Sequence, residues 1–76
     1  MSKLPLITVK SLEKLLFQLG YKDVRKKGSH VFYRHPSGKY TTLPHHGNQV
    51  LARPLLRQIL REIDLSPEEF IKMMNK

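Results

Sequence analysis

The hydrophobic positions of this chain change period twice. From Thr8 onward, Val9, Leu12, Leu15, Leu16 and Leu19 recur three and four residues apart, which predicts an amphipathic helix with one buried stripe. Thr8 can cap its first turn with a side-chain oxygen, and Gly20 can stop it with a left-handed residue. Phe17 falls off the stripe, among Lys10, Glu13 and Lys14, and is a candidate docking point on a solvated face. Between Tyr21 and Pro44 the helical period disappears. Tyr21 to Lys27 reads as a short charged strand, Gly28-Ser29 as a turn, and Ser29 to His35 as a second strand rich in β-branched and aromatic residues. Pro36-Ser37-Gly38 is a hairpin turn, and Lys39 to Leu43 a third strand ended by Pro44. Short links between successive strands require an antiparallel sheet.

The helical period returns after the loop His45-His46-Gly47-Asn48. Leu55, Leu56, Ile59, Leu60 and Ile63 form the buried stripe of a second helix, and Pro54 suits its first turn. Arg53, Arg57 and Arg61 follow one another at one-turn spacing as a basic ridge on an adjacent face. Ser66-Pro67-Glu68-Glu69 is a capping box with proline at the first helical position. It opens a short third helix carrying Phe70, Ile71, Met73 and Met74. No repeat, low-complexity tract or linker interrupts this order. Residues 1–76 are therefore expected to form one α+β domain of order α-β-β-β-α with a short C-terminal helix. Helices should cover one face of the three-stranded antiparallel sheet and leave the other open.

Composition narrows the possible functions. Seventy-six residues bury too little surface to build a deep substrate cleft. Without cysteine there is neither a disulfide nor a cysteine-based zinc site. The stretch Leu4-Pro5-Leu6-Ile7 is too short for a signal-peptide core or a membrane span, which leads to the expectation of a cytoplasmic protein. The net charge is +8. Residues 1–44 hold nine basic and two acidic groups, whereas residues 45–76 hold five and four. The excess concentrates between Lys22 and Lys39, a localised patch that attracts a polyanion. A membrane surface fits less well, because the cluster does not lie on an amphipathic helix.

Four histidines, His30, His35, His45 and His46, are the candidates for chemistry. None forms a helical i, i+4 pair, neighbouring His45 and His46 diverge, and no carboxylate follows them closely, so neither metal nor other cofactor is expected. His30 follows Gly28-Ser29 and is surrounded by Lys26, Lys27 and Arg34. RNA cleavage without a metal needs a base for the 2′-hydroxyl, an acid for the leaving 5′-oxygen, and cations for the charge gathering on phosphorus. Histidine can serve as base or acid near neutrality, and Lys and Arg can hold the developing charge. By residue type alone, an ordinary strand histidine that packs or sits exposed is the favoured reading of His30. Strand alternation puts His30, Phe32 and Arg34 on one face, and Ser29, Val31, Tyr33 and His35 on the other. Both sets mix polar and apolar residues. The reading adopted sets His30 and Arg34 outward, with Phe32 partly exposed. The basic rim around His30 is then Lys22, Arg25, Lys26, Lys27, Arg34 and Lys39.

The stretch Gly28-Ser29-His30-Val31-Phe32-Tyr33-Arg34-His35-Pro36 resembles the signature of the HicA (YcfA-like) toxins. So do the lead-in Gly20-Tyr21 to Val24-Arg25-Lys26-Lys27 and the block Leu43-Pro44-His45-His46-Gly47. The helix from Leu55 to Ile59-Leu60 and the tail Leu65-Ser66-Pro67-Glu68-Glu69-Phe70 also fit. The resemblance implies a double-stranded-RNA-binding-domain-like fold. It also implies the activity of a type II toxin, an mRNA interferase that is blocked by a HicB antitoxin, and it makes His30 the catalytic histidine. It leaves open the second proton-transfer group, which could be Ser29, a lysine or water. The expected partners are mRNA and a HicB-like antitoxin with an acidic contact face; no membrane and no small-molecule cofactor are expected. Gly28 shapes the loop, and Ser29 joins Lys22, Arg25, Lys26, Lys27, Arg34 and Lys39 in contacting RNA. The sequence departs from the family at Arg53-Pro54-Leu55, where many members carry a Gly-Thr-Leu-like turn. Two alternatives remain at this stage: a non-catalytic RNA-binding module of the same fold, and a protein-binding module using Phe17 and the arginine ridge.

Overall fold

Helix α1 (Val9–Gln18) forms where the stripe predicts it. Thr8 is extended at the N-cap and accepts a hydrogen bond from the Ser11 amide, and Gly20, at φ +99, leads the chain away from the helix. Strands β1 (Lys22–Lys27), β2 (His30–Arg34) and β3 (Tyr40–Pro44) follow in sheet order β1-β2-β3, both pairs antiparallel. Strand boundaries shift by one residue from expectation: Ser29, His35 and Lys39 fall just outside β2 and β3, and two further shifts bear on packing and pairing. Tyr21 lies outside β1, buried with its ring centroid 5.0 Å from that of His35. Pro44 lies inside β3 and pairs with His30; an edge strand tolerates a proline because one side of its ladder has no partner to serve.

Helix α2 (Arg53–Glu62) begins at Arg53-Pro54-Leu55, where the sequence departs from the pattern it resembles. Ala52 occupies the N-cap without a side-chain hydrogen bond, and Pro54 supplies the preset backbone of the first turn. Helix α3 (Pro67–Met74) starts with the complete capping box of Ser66 and Glu69. The computed structural model describes residues 4–45 and 48–75. His46 and Gly47 of the loop before α2, and Lys3 of the charge count, lie outside the described residues.

The helices cover one face of the sheet. Leu12 and Leu16 of α1, Leu56, Ile59 and Leu60 of α2, and Tyr33 and Leu43 of the sheet share one buried cluster, which α3 joins through fully buried Phe70. Burial of each such side chain contributes about 1.5–3 kcal/mol. The N-terminal segment belongs to this core too. Leu51 donates its amide to the Ile7 carbonyl at 2.8 Å, Val9 donates to Gln49 at 2.9 Å, and Thr8 bridges Val50. Leu4, Ile7 and Leu51 are buried as a result. Arg53 Nε donates to the Leu4 carbonyl at 2.7 Å, so the first arginine of the ridge ties the N-terminal segment to α2.

The carboxylates gather on the helix side. Tyr33 donates its hydroxyl hydrogen to Glu13 at 2.5 Å, and buried Thr41 donates to Glu62 at 2.7 Å. Asp23 pairs with Tyr33 in the ladder and so shares its face.

Candidate nucleic-acid interface

The site starts from a two-residue turn. Lys27 and His30 are the last paired positions of β1 and β2, and only Gly28 and Ser29 separate them. Gly28 has φ +59, whereas Ser29 has no positive φ. That combination suits a type II′ hairpin turn, whose twist matches the flanking strands and which requires glycine first. The turn therefore sets the register that brings Lys27 opposite His30.

Three rungs then share the open face, since directly paired residues point to the same side. They are Lys27–His30–Pro44, Arg25–Phe32–Thr42 and Lys22–Arg34–Tyr40. His30 and Arg34 are exposed and Phe32 is half-buried, whereas Tyr33 and Leu43 on the opposite face are buried. The three rungs hold four cations, one histidine and no carboxylate.

A bulge makes this possible. Lys22 and Arg25 are three residues apart, so regular alternation would send them to opposite faces. The β1–β2 register shifts between Asp23 and Arg25, leaving Val24 as the extra residue. One added residue reverses the parity of what precedes it. Lys22 thus joins Arg25 and Lys27 on the open face, and Asp23 turns to the helices.

Two members of the basic rim read from the sequence are not brought together with His30. Lys26 pairs with Val31, which puts it on the helix-side face, and it lines a depression along the β1 edge with Glu13 of α1, Arg25 and His45. Lys39 precedes β3, and its Nζ lies 3.4 Å from Asp64 Oδ2, beyond the end of α2. Ser29 is exposed at the turn, and its carbonyl accepts the His45 amide at 2.6 Å, which holds the exit of β3 against the His30 end of β2. Tyr40 and Phe32 were not in that rim, although the strand parity of Tyr40 would have matched it to Arg34 once the hairpin turn was known.

His35 has a structural role. The Ser37 amide donates to its Nδ1 at 3.0 Å, so that nitrogen is an acceptor and Nε2 carries the hydrogen donated to the Leu19 carbonyl at 3.1 Å. Among the described residues, no group of three or more His, Cys, Asp or Glu side chains converges as a metal site.

A model of the family described as the HicA toxin of bacterial toxin–antitoxin matches residues 9–65. The chain belongs to the HicA toxin family. The HicA match covers three quarters of the chain, from the start of α1 to just past α2, and takes in the whole sheet with His30 and its cationic rungs. Helix α3 and the capping box at Ser66 lie beyond it. No curated protein matches the chain. Family membership makes this protein a toxin of the toxin–antitoxin type. No helix among the described residues is long and apolar enough to cross a membrane.

Proposed function

We propose that this HicA family member is an endoribonuclease that cuts mRNA at the open sheet face, with His30 as the catalytic residue. The observation that carries the reading is the pairing of His30 with Lys27 on a face with three further cations and no carboxylate in its rungs. The cations hold the RNA backbone and oppose the charge that builds on phosphorus. The imidazole of His30 takes the proton of a 2′-hydroxyl, whose oxygen attacks the adjacent phosphorus. The bond to the 5′-oxygen breaks, and that oxygen receives a proton from Ser29, Lys27 or water. The products are a 2′,3′-cyclic phosphate and a 5′-hydroxyl. The reaction needs no oxidant, and these residues supply it without a metal. Because the substrate is a polyanion gripped from outside, an open face serves where a small-molecule enzyme would need a cleft.

The whole chain acts as one domain in the cytoplasm, where its message is. A HicB-like antitoxin neutralises it by laying an acidic surface over Lys22, Arg25, Lys27 and Arg34.

The test is RNA cleavage by the His30→Ala variant in the presence of a chelator. The expected result is loss of cleavage with RNA affinity and melting temperature close to wild type, because an exposed side chain contributes little to stability. Undiminished cleavage by His30→Ala sinks the reading and leaves the same face as a non-catalytic RNA-binding surface.

A further inference from the structure

We propose that the open sheet face carries a base-binding subsite two residues along β2 from His30, which seats one unstacked nucleobase of single-stranded RNA on Phe32 and Tyr40. The inference deepens the RNA reading above and rests on it.

A cleft of about 360 Å³ opens on this face between Val24, Phe32 and Tyr40, with Arg25 and Arg34 at its sides. Five large hydrophobic side chains are exposed among the described residues, and two of them, Val24 at 60% and Tyr40 at 70%, line this one cleft. Half-buried Phe32 lies in the middle rung between them. Exposed apolar side chains that gather around a concavity mark a binding surface.

The chemistry selects the occupant. An aromatic platform offers its π-face to any base, and the planar guanidinium groups of Arg25 and Arg34 can stack on a ring or pair with a phosphate. Successive same-face positions on a strand are roughly 7 Å apart, so a base above Phe32 keeps its own backbone within reach of His30 on one side and Arg34 on the other. An apolar protein segment would instead have to leave four cations on the surrounding rungs unpaired. A duplex does not fit, because its bases stack on one another and hide their faces. The bulge at Val24 has a second consequence here: it adds an apolar wall to the edge of the cleft while aligning Lys22 with Arg34.

The experiment uses the full chain and a short single-stranded 2′-O-methyl RNA, which lacks the attacking hydroxyl and is not cut. Binding is measured for wild type, Tyr40→Ala and Phe32→Leu, across a salt series. A second copy of the oligonucleotide carries one abasic position, moved along its length. Loss of one stacked base predicts affinity about 5- to 100-fold weaker for Tyr40→Ala, with the slope against salt unchanged. The abasic oligonucleotide should lose a similar factor with wild type at one position, and little further with Tyr40→Ala. Tyr40 is exposed, so that variant keeps the fold; Phe32→Leu keeps the half-buried volume while removing the ring, with its melting temperature as the control.

Wild-type affinity in Tyr40→Ala and folded Phe32→Leu overturns the subsite. An abasic penalty that persists in full in Tyr40→Ala does the same, and so does a Tyr40→Ala defect confined to binding of a protein antitoxin. His30-dependent cleavage together with Tyr40-independent binding rejects this inference alone, whereas a wild-type chain that neither binds nor cuts RNA rejects both.

Discussion

Lys27 and His30 face each other across the last rung of the β1–β2 hairpin, closed by Gly28 and Ser29 alone. A cation fixed beside the imidazole can oppose the charge on phosphorus during attack. Lys27→Ala should therefore lower the cleavage rate at saturating RNA by on the order of 100-fold. Lys26→Ala, one residue away but on the other face, should change it by no more than a few-fold. Single-turnover kinetics decide the matter; equal losses in the two variants would show that general charge, not the rung, matters.

Gly28 holds that rung in place. Its φ of +59 is a conformation that side chains adopt only with strain, and the open space around it means that strain alone is at issue. Gly28→Ala should cost about 1–3 kcal/mol. In a chain of this size each kcal/mol lowers the melting temperature by about 4–8 °C. Cleavage at a temperature where the variant is still folded should fall as well, because the turn sets the partner of His30. Calorimetry and a rate measured on the same sample check both parts. A variant with lowered stability and wild-type cleavage would separate the turn from the site.

The rungs also make a prediction about salt. Four cations on one face, Lys22, Arg25, Lys27 and Arg34, predict a slope of log affinity against log salt of about −3 for single-stranded RNA. Removing any one of them should flatten the slope by roughly 0.7. Lys39→Ala should leave it unchanged, because Lys39 is turned toward Asp64. Fluorescence titrations at several salt concentrations suffice. A Lys39 variant that shifts the slope as much as an Arg34 variant would mean that the RNA wraps beyond the sheet face.

Tyr33 links the sheet to α1 through its hydrogen bond to Glu13 and its edge-on contact with Phe17, 6.0 Å between ring centroids. Burial first, and then the bond and charge of Glu13, push its hydroxyl above the usual tyrosine range. Tyr21 is raised as well, by burial and by the charge of Asp64. A raised acid keeps its proton in the folded chain after the unfolded chain has lost it. The stabilisation is thus complete below about pH 10 and declines as pH rises above that value. Tyr33→Phe should lower stability near pH 7 by about 1 kcal/mol and reduce the decline above pH 10. Melting curves across that range test it. An unaltered alkaline decline in the variant would assign the whole effect to Tyr21.

Much of the fold was legible because its causes are local. The stripe from Val9 to Leu16, the Thr8 cap and the Ser66–Glu69 box each operate within a turn or two of helix. The three strands were marked by turn residues that keep their meaning in any context. His30 stood out by its position after Gly28-Ser29, and family membership extends across it. Leu4 and Ile7 were read only as a stretch too short to be exported, because their partners Arg53 and Leu51 lie more than forty residues away.

The amino-acid sequence alone determined which elements form, where the first and third helices start, and that a basic, histidine-bearing hairpin stands at the centre. Tertiary structure decided which of its charges act together. A strand's faces depend on its register with a neighbour, and one unpaired residue reverses them. The bulge at Val24 carries no glycine or proline to announce it. Yet it brings Lys22 to the side of His30 and turns Asp23 away, while Lys26 and Lys39, equally basic in sequence, are left on the side of Glu13 and Asp64.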